Sequence, residues 1–124
     1  ADVEVGSQRL TVATTHLSFV PGWNVVQLVR ALRWLAAPGL PVLLLGDLNL
    51  PGPVVDVLAQ GWRRLSSGPT YPASRPRVAL DHALARDVGS TARQRTVEVA
   101  VGDHRPVVVV VGARGGSGLQ TPLG

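Results

Sequence analysis

"PVLLLGDLNLPG", residues 41–52, sets a carboxylate and an amide directly behind an aliphatic run, Val42 to Leu45. Such a run, Pro41–Leu45, reads as a strand buried on both faces, and strands of that kind sit in sheets covered by other layers. Asp47 and Asn49 stand where the strand surfaces, between glycines at 46 and 52. Two apart in extended backbone, they face one side while Leu48 faces the other. A carboxylate there can hold Mg²⁺ or orient a water, and an amide can donate to a phosphate oxygen. The same residues also make a good Asx turn. On their own they leave turn and site equally open.

Upstream, Asp2–Val5 and Arg9–Thr15 are short β-type runs joined by "GSQ" (6–8), as in a hairpin, and the second runs into "TTHLSF" (14–19). "PGWNVVQLVRALRWLAAPG" (21–39) has helical period: Val25, Leu28, Val29, Leu32 and Leu35 or Ala36 share a stripe. Asn24, Gln27, Arg30 and Arg33 fall largely on the other side. Pro21 suits the entry, and Pro38–Gly39 stop the helix. Trp23 and Trp34 read as packing or edge residues rather than a base-stacking platform.

Downstream, Pro53–Gln60 is a short helix with proline in its first turn, and Gly61–Pro76 is loop-like. Val78–Arg86, Arg95–Val101 and Pro106–Val111 read as strands, and residues 112–124 as a flexible Gly-rich tail. The order is β-β-α-β-α-β-β-β. A helix between strands makes a crossover and the later strands pair as hairpins, so the class is α/β (α+β) with a mixed sheet.

The chain has 124 residues, 45% apolar and 16% charged, which suits one folded domain or a piece of one and excludes a disordered composition. It has no cysteine, so any metal must be held by oxygen or imidazole. The net charge is +4 and every basic residue is arginine. That could suit an anionic ligand, but a chain rich in Ala, Gly, Pro, Arg and Val has the same pI through coding bias alone. There is no arginine stripe interleaved with aromatics, the pattern of a nucleic-acid binder. The longest apolar runs fall far short of the ~20 residues that span a bilayer, and no signal peptide is visible. The absence of methionine places the start inside a longer protein or after processing.

Four polar clusters fall at or within predicted strands: His16, Asp47 with Asn49, Asp81, and Asp103–His104. Strands ending at one rim put such residues in one cleft, and this mixture suits metal-assisted hydrolysis. Asp81 shares a face with Ala79, Ala83 and Ala85. A carboxylate there needs a cationic or imidazole partner. His82 shares the opposite face with Val78, Leu80 and Leu84 and reads as a satisfied core histidine rather than a ligand. Asp103 can ligate metal while His104 meets a substrate or a carboxylate such as Asp81, although an ordinary polar loop capped by Arg105 would look alike. His16 is either a polar strand terminus or a phosphate contact.

Taken in order, "TTHLS" (14–18), "GDLN" (46–49), "LDHAL" (80–84) and "GDHRPVV" (102–108) resemble the last four motifs of the endonuclease/exonuclease/phosphatase family, the DNase I-like phosphoesterases. "TYP" (70–72) before "LDH" is similar to many bacterial members. The resemblance spans residues 2–111 and implies half of a four-layer α/β/β/α sandwich, with a mixed β-sheet flanked by helices. Residues 1–111 would then be the C-terminal portion of the domain. It also implies hydrolysis of a phosphate ester by water with Mg²⁺ or Mn²⁺. His16 and Asn49 would contact the phosphate, and Asp47 would orient or deprotonate the water or hold metal. Asp81 would pair with His104, His104 would bind phosphate or act as acid/base partner, and Asp103 would lie at the metal. The substrate stays open among DNA, RNA, nucleotide, inositol phosphate and lipid head group.

Two departures stand out. Gly102 replaces the usual serine of the last motif, and nothing in residues 1–15 matches the Asn and Glu that hold the family's principal metal. The alternative reading is therefore a non-catalytic fragment or pseudo-enzyme that keeps the scaffold. Half a sandwich would also leave an apolar sheet face to be covered, by self-association or by an N-terminal half.

Overall fold

A computed structural model describes residues 1–37, 39–65, 68–89 and 92–112, so the predicted tail from 113 on lies outside the described residues. The elements are β1 (Asp2–Val5), β2 (Gln8–His16), α1 (Trp23–Ala36), β3 (Val42–Asp47), α2 (Gly52–Leu58), β4 (Arg63–Leu65), β5 (Asp81–Arg86), β6 (Arg93–Thr96) and β7 (Val107–Val110). Five strands form a sheet ordered β1-β2-β3-β5-β4, and β6 and β7 form a two-stranded sheet. β1 and β2 are an antiparallel hairpin, and β2 runs parallel to β3 through the α1 crossover. β5 is antiparallel to both β3 and β4. The chain is thus the mixed α+β sheet that its sequence predicts.

The aliphatic run of β3 is buried on both faces, and the alternation decides what each side meets. Val42 and Leu44 join Leu84 of β5 under α1 and α2, against Leu28, Leu32, Leu35 and Val55. Leu43 faces the other way with Leu10, Leu65, Ala83 and Ala85, and Val109 packs against that second cluster. Helices therefore cover one face and the β6–β7 hairpin covers part of the other. The expected bare sheet face is smaller than half a sandwich implies, and Val12 and Leu45 remain half-buried on it. No described helix is long and apolar enough to cross a membrane.

Four local expectations change. β4 lies in the segment expected to be loop; three residues, "RRL", carry too little alternation to show, and β5 holds them by edge pairing. The strand expected at Arg95–Val101 stops at Thr96, because the Val97 N–H donates to the Pro106 carbonyl and Pro106 has no N–H to return. The strand expected from Val78 begins at Asp81, with Val78 in an isolated bridge to Tyr71. The helix tryptophans, expected as packing or edge residues, lie at the edge: Trp23 is half-exposed and Trp34 is 77% exposed, off the leucine stripe. Asn24, expected on the polar side, is instead buried, with its amide donating to the Asn49 carbonyl at 3.0 Å.

Candidate active site

The rim is a matter of register. β2 and β3 are parallel and end at His16 and Asp47, and β5 is antiparallel and begins at Asp81. His16 pairs with Asp47, and Asp47 with Asp81, so three neighbouring strands put these residues in one row. They share the face of Leu45 and Ala83, opposite the helices, as the alternation around Asp81 predicts. Two carboxylates side by side repel unless cations answer them.

Imidazoles answer them here. His104 arrives from the loop before β7, and its Nδ1 lies 2.7 Å from Asp81 Oδ2. A carboxylate only accepts, so Nδ1 carries the proton and Nε2 is left facing Asp47 Oδ2 at 3.8 Å. His16 Nε2 approaches the same Asp47 oxygen at 3.4 Å, with its side chain 77% exposed. Asp47, Asp81 and His104 are only partly buried, so the row opens on solvent. Burial pulls the His104 imidazole down. The hydrogen bond and charge of Asp81, joined by Asp47 and Asp103, outweigh it and hold the pKa above the ordinary 6.5.

The Asx turn and the site turn out to coexist. Asp47 Oδ1 accepts the Asn49 N–H at 2.9 Å, which leaves Oδ2 for the cleft. Asn49 takes a left-handed backbone at φ 50°, and its side-chain amide donates to the Leu17 carbonyl at 2.8 Å, tying the turn to the end of β2. Gly46 lets β3 pass this close: a Cβ there would lie 1.7 Å from the Thr15 carbonyl oxygen. His82 is fully buried with Nε2 2.7 Å from the Leu50 carbonyl, so it fastens the turn to β5 as a satisfied core histidine. Burial lowers its pKa, with the Leu50 carbonyl opposing.

Asp47, Asp81 and His104 each offer a ligand atom within 4.8 Å of the others'. The two carboxylates fit a hard divalent ion that keeps several waters, since they are too few to enclose one. Asp103 stands outside this group with its side chain exposed, although its charge still acts on His104. Thr70 and Tyr71 are not individually legible in the sequence. Thr70 is fully buried, and the Tyr71 ring lies against the His104 ring with centroids 4.9 Å apart. Their one signal is the "TYP" triplet, because neither belongs to a periodic run.

Comparison with solved structures shows the same fold. A functionally unknown conserved protein from Enterococcus faecalis aligns with TM-score 0.66 at 16% identity, over 83% of this chain and 50% of that one. CdtB, the biologically active subunit of Cytolethal Distending Toxin, aligns with TM-score 0.60 at 20% identity, over 87% and 49%. A mannosyl-6-phosphatase of Bacteroides thetaiotaomicron aligns with TM-score 0.57 at 13% identity, over 79% and 49%. The chain thus spans about half the length of the structures it matches. No curated protein matches its sequence significantly. Residues 5–111 match the sequence profile described as Endonuclease/Exonuclease/phosphatase family. With the strand-end row and the ordered motifs on the same residues, the chain belongs to the endonuclease/exonuclease/phosphatase family.

Proposed function

We propose that this chain carries the water-activating and phosphate-binding half of a Mg²⁺- or Mn²⁺-dependent phosphoesterase. The observation that supports this most is the row His16–Asp47–Asp81, closed by the 2.7 Å bond from His104 Nδ1 to Asp81. The product is a phosphate and an alcohol: water adds to phosphorus, the P–O ester bond breaks, and the alcohol leaves with a proton.

Each residue has a part in that exchange. Asp47 Oδ2 accepts a proton of the attacking water and aims its lone pair at phosphorus. His104, protonated and fixed by Asp81, presents Nε2–H to a phosphate oxygen as negative charge develops there. His16, exposed beside it, donates to a second oxygen. Asn49 has one amide N–H committed to Leu17, and the second N–H of the same group can donate to the phosphate. Asp81, with Asp103 nearby, would hold the divalent ion, which supplies positive charge against the phosphoryl oxygens. The class of ester, nucleic acid included, is set by contacts beyond this row.

The full-length protein should hydrolyse a generic phosphodiester or phosphomonoester with Mg²⁺ or Mn²⁺ and lose activity on EDTA treatment. Absence of hydrolysis of phosphomonoester, phosphodiester and nucleic acid with either metal would leave the non-catalytic scaffold as the better reading.

A further inference from the structure

Asp81 and His104 come from segments 23 residues apart, and nothing in the sheet ladder joins them. What joins them is a third segment, Thr70–Ala73. On one side the buried Thr70 hydroxyl accepts the N–H groups of Leu80 and Asp81, at 3.1 and 3.2 Å, just where β5 begins. On the other side the same segment grips both neighbours of His104. Ala73 N–H donates to the Asp103 carbonyl at 2.7 Å, and Arg105 N–H donates to the Thr70 carbonyl at 2.8 Å. The Arg105 side chain adds a third tie, its Nε donating to the Ala73 carbonyl at 2.8 Å. Tyr71, between these anchors, lies against the His104 ring. The segment is itself braced, with Thr70 and Tyr71 N–H both bonded to the Val78 carbonyl.

We propose that Thr70–Ala73 is a splint that sets the Asp81–His104 distance, and that Thr70 and Arg105 are its positioning residues. Neither touches the reacting atoms. Thr70 fixes the height of the Asp81 backbone, and Arg105 fixes the loop that carries the imidazole. A pair held by one hydrogen bond is sensitive to such placement, because a displacement of about an ångström at a reacting group can cost ~100-fold in rate. This rests on the phosphoesterase reading only for its kinetic consequence; the geometric consequence stands apart from it.

The test uses the full-length protein and four variants: Thr70→Val, Thr70→Ser, Arg105→Met and Arg105→Lys. Thr70→Val keeps the volume and removes the acceptor, leaving the Leu80 and Asp81 amides unpaired. Thr70→Ser keeps the acceptor. In the wild type the His104 Nδ1–H bonded to Asp81 gives a downfield NMR resonance, and the Tyr71 and His104 rings give a cross-relaxation contact. Thr70→Val and Arg105→Met should lose or broaden both and lower kcat roughly 10- to 100-fold with KM little changed. Thr70→Ser should restore resonance and kcat, and Arg105→Lys should fall between. Retention of the resonance and kcat in Thr70→Val, or equal loss in Thr70→Ser and Thr70→Val, would overturn the splint. If Thr70→Val does not fold, Arg105→Met decides by the same two readouts. If the wild type hydrolyses no phosphate ester, the NMR signals alone decide the splint, and that failure counts against the proposed function instead.

Discussion

At Asp47 one carboxylate oxygen accepts the Asn49 amide while the other faces two imidazoles, so the turn and the proposed proton transfer draw on different atoms of one side chain. Substitution can separate them. Asp47→Asn keeps an oxygen for the turn and should change stability by less than about 1 kcal/mol, yet lower kcat by ~100-fold or more, because an amide cannot take a proton from water. Melting and steady-state kinetics on one preparation check both halves. The two partly or fully buried histidines have opposite pH signatures. His104 is raised, so its interaction with Asp81 stabilises fully below the unfolded value near 6.5 and fades as pH rises through the folded value. His82 is lowered, so its contribution is present above 6.5 and is lost as pH falls through its folded value. In urea melts across that range, His104→Gln should cost most at acid pH and His82→Gln should cost most at neutral pH. The reverse order would refute the assignment of either partner.

For the elements, legibility tracks periodicity. β3 and α1 announce themselves because burial on two faces and on one stripe leave unmistakable apolar patterns. β4 does not, since three edge residues are held by β5 rather than by their own preference. β6 ends where Pro106 denies it a partner N–H, a cause that lies ten residues away in the sequence. The strand-end row was legible as four polar clusters, whereas Thr70 was not, because its hydroxyl acts through tertiary contacts that leave no pattern. Asp103 was legible as acidic, but it is exposed and stands outside the three groups that converge. Gly46 is the element-scale test. Gly46→Ala should cost about 2–4 kcal/mol, since a Cβ meets the Thr15 carbonyl oxygen and the strands must part. Leu44→Ala, in the packed layer beneath the helices, should cost roughly 2–5 kcal/mol without altering the row. Denaturant melts check both.

For the whole molecule, the helices cover one face of the main sheet and the β6–β7 hairpin part of the other, so this chain has a core on each face. Its candidate metal donors are sparser. Two carboxylates and an imidazole converge, and this chain aligns with only about half of each solved structure of the same fold. Calorimetry on this chain alone should therefore show no Mg²⁺ binding tighter than roughly the millimolar range. Tight binding would mean that the row suffices by itself.

A double-mutant cycle in the full-length protein asks most directly whether Asp47 and His104 belong to one phosphate-hydrolysing centre. Asp47→Ala and His104→Ala should each lower kcat/KM for a phosphodiester by ~100-fold or more, and the double variant should be little worse than the poorer single. Retention of activity by either single variant, or losses that simply multiply in the double, would contradict a shared centre.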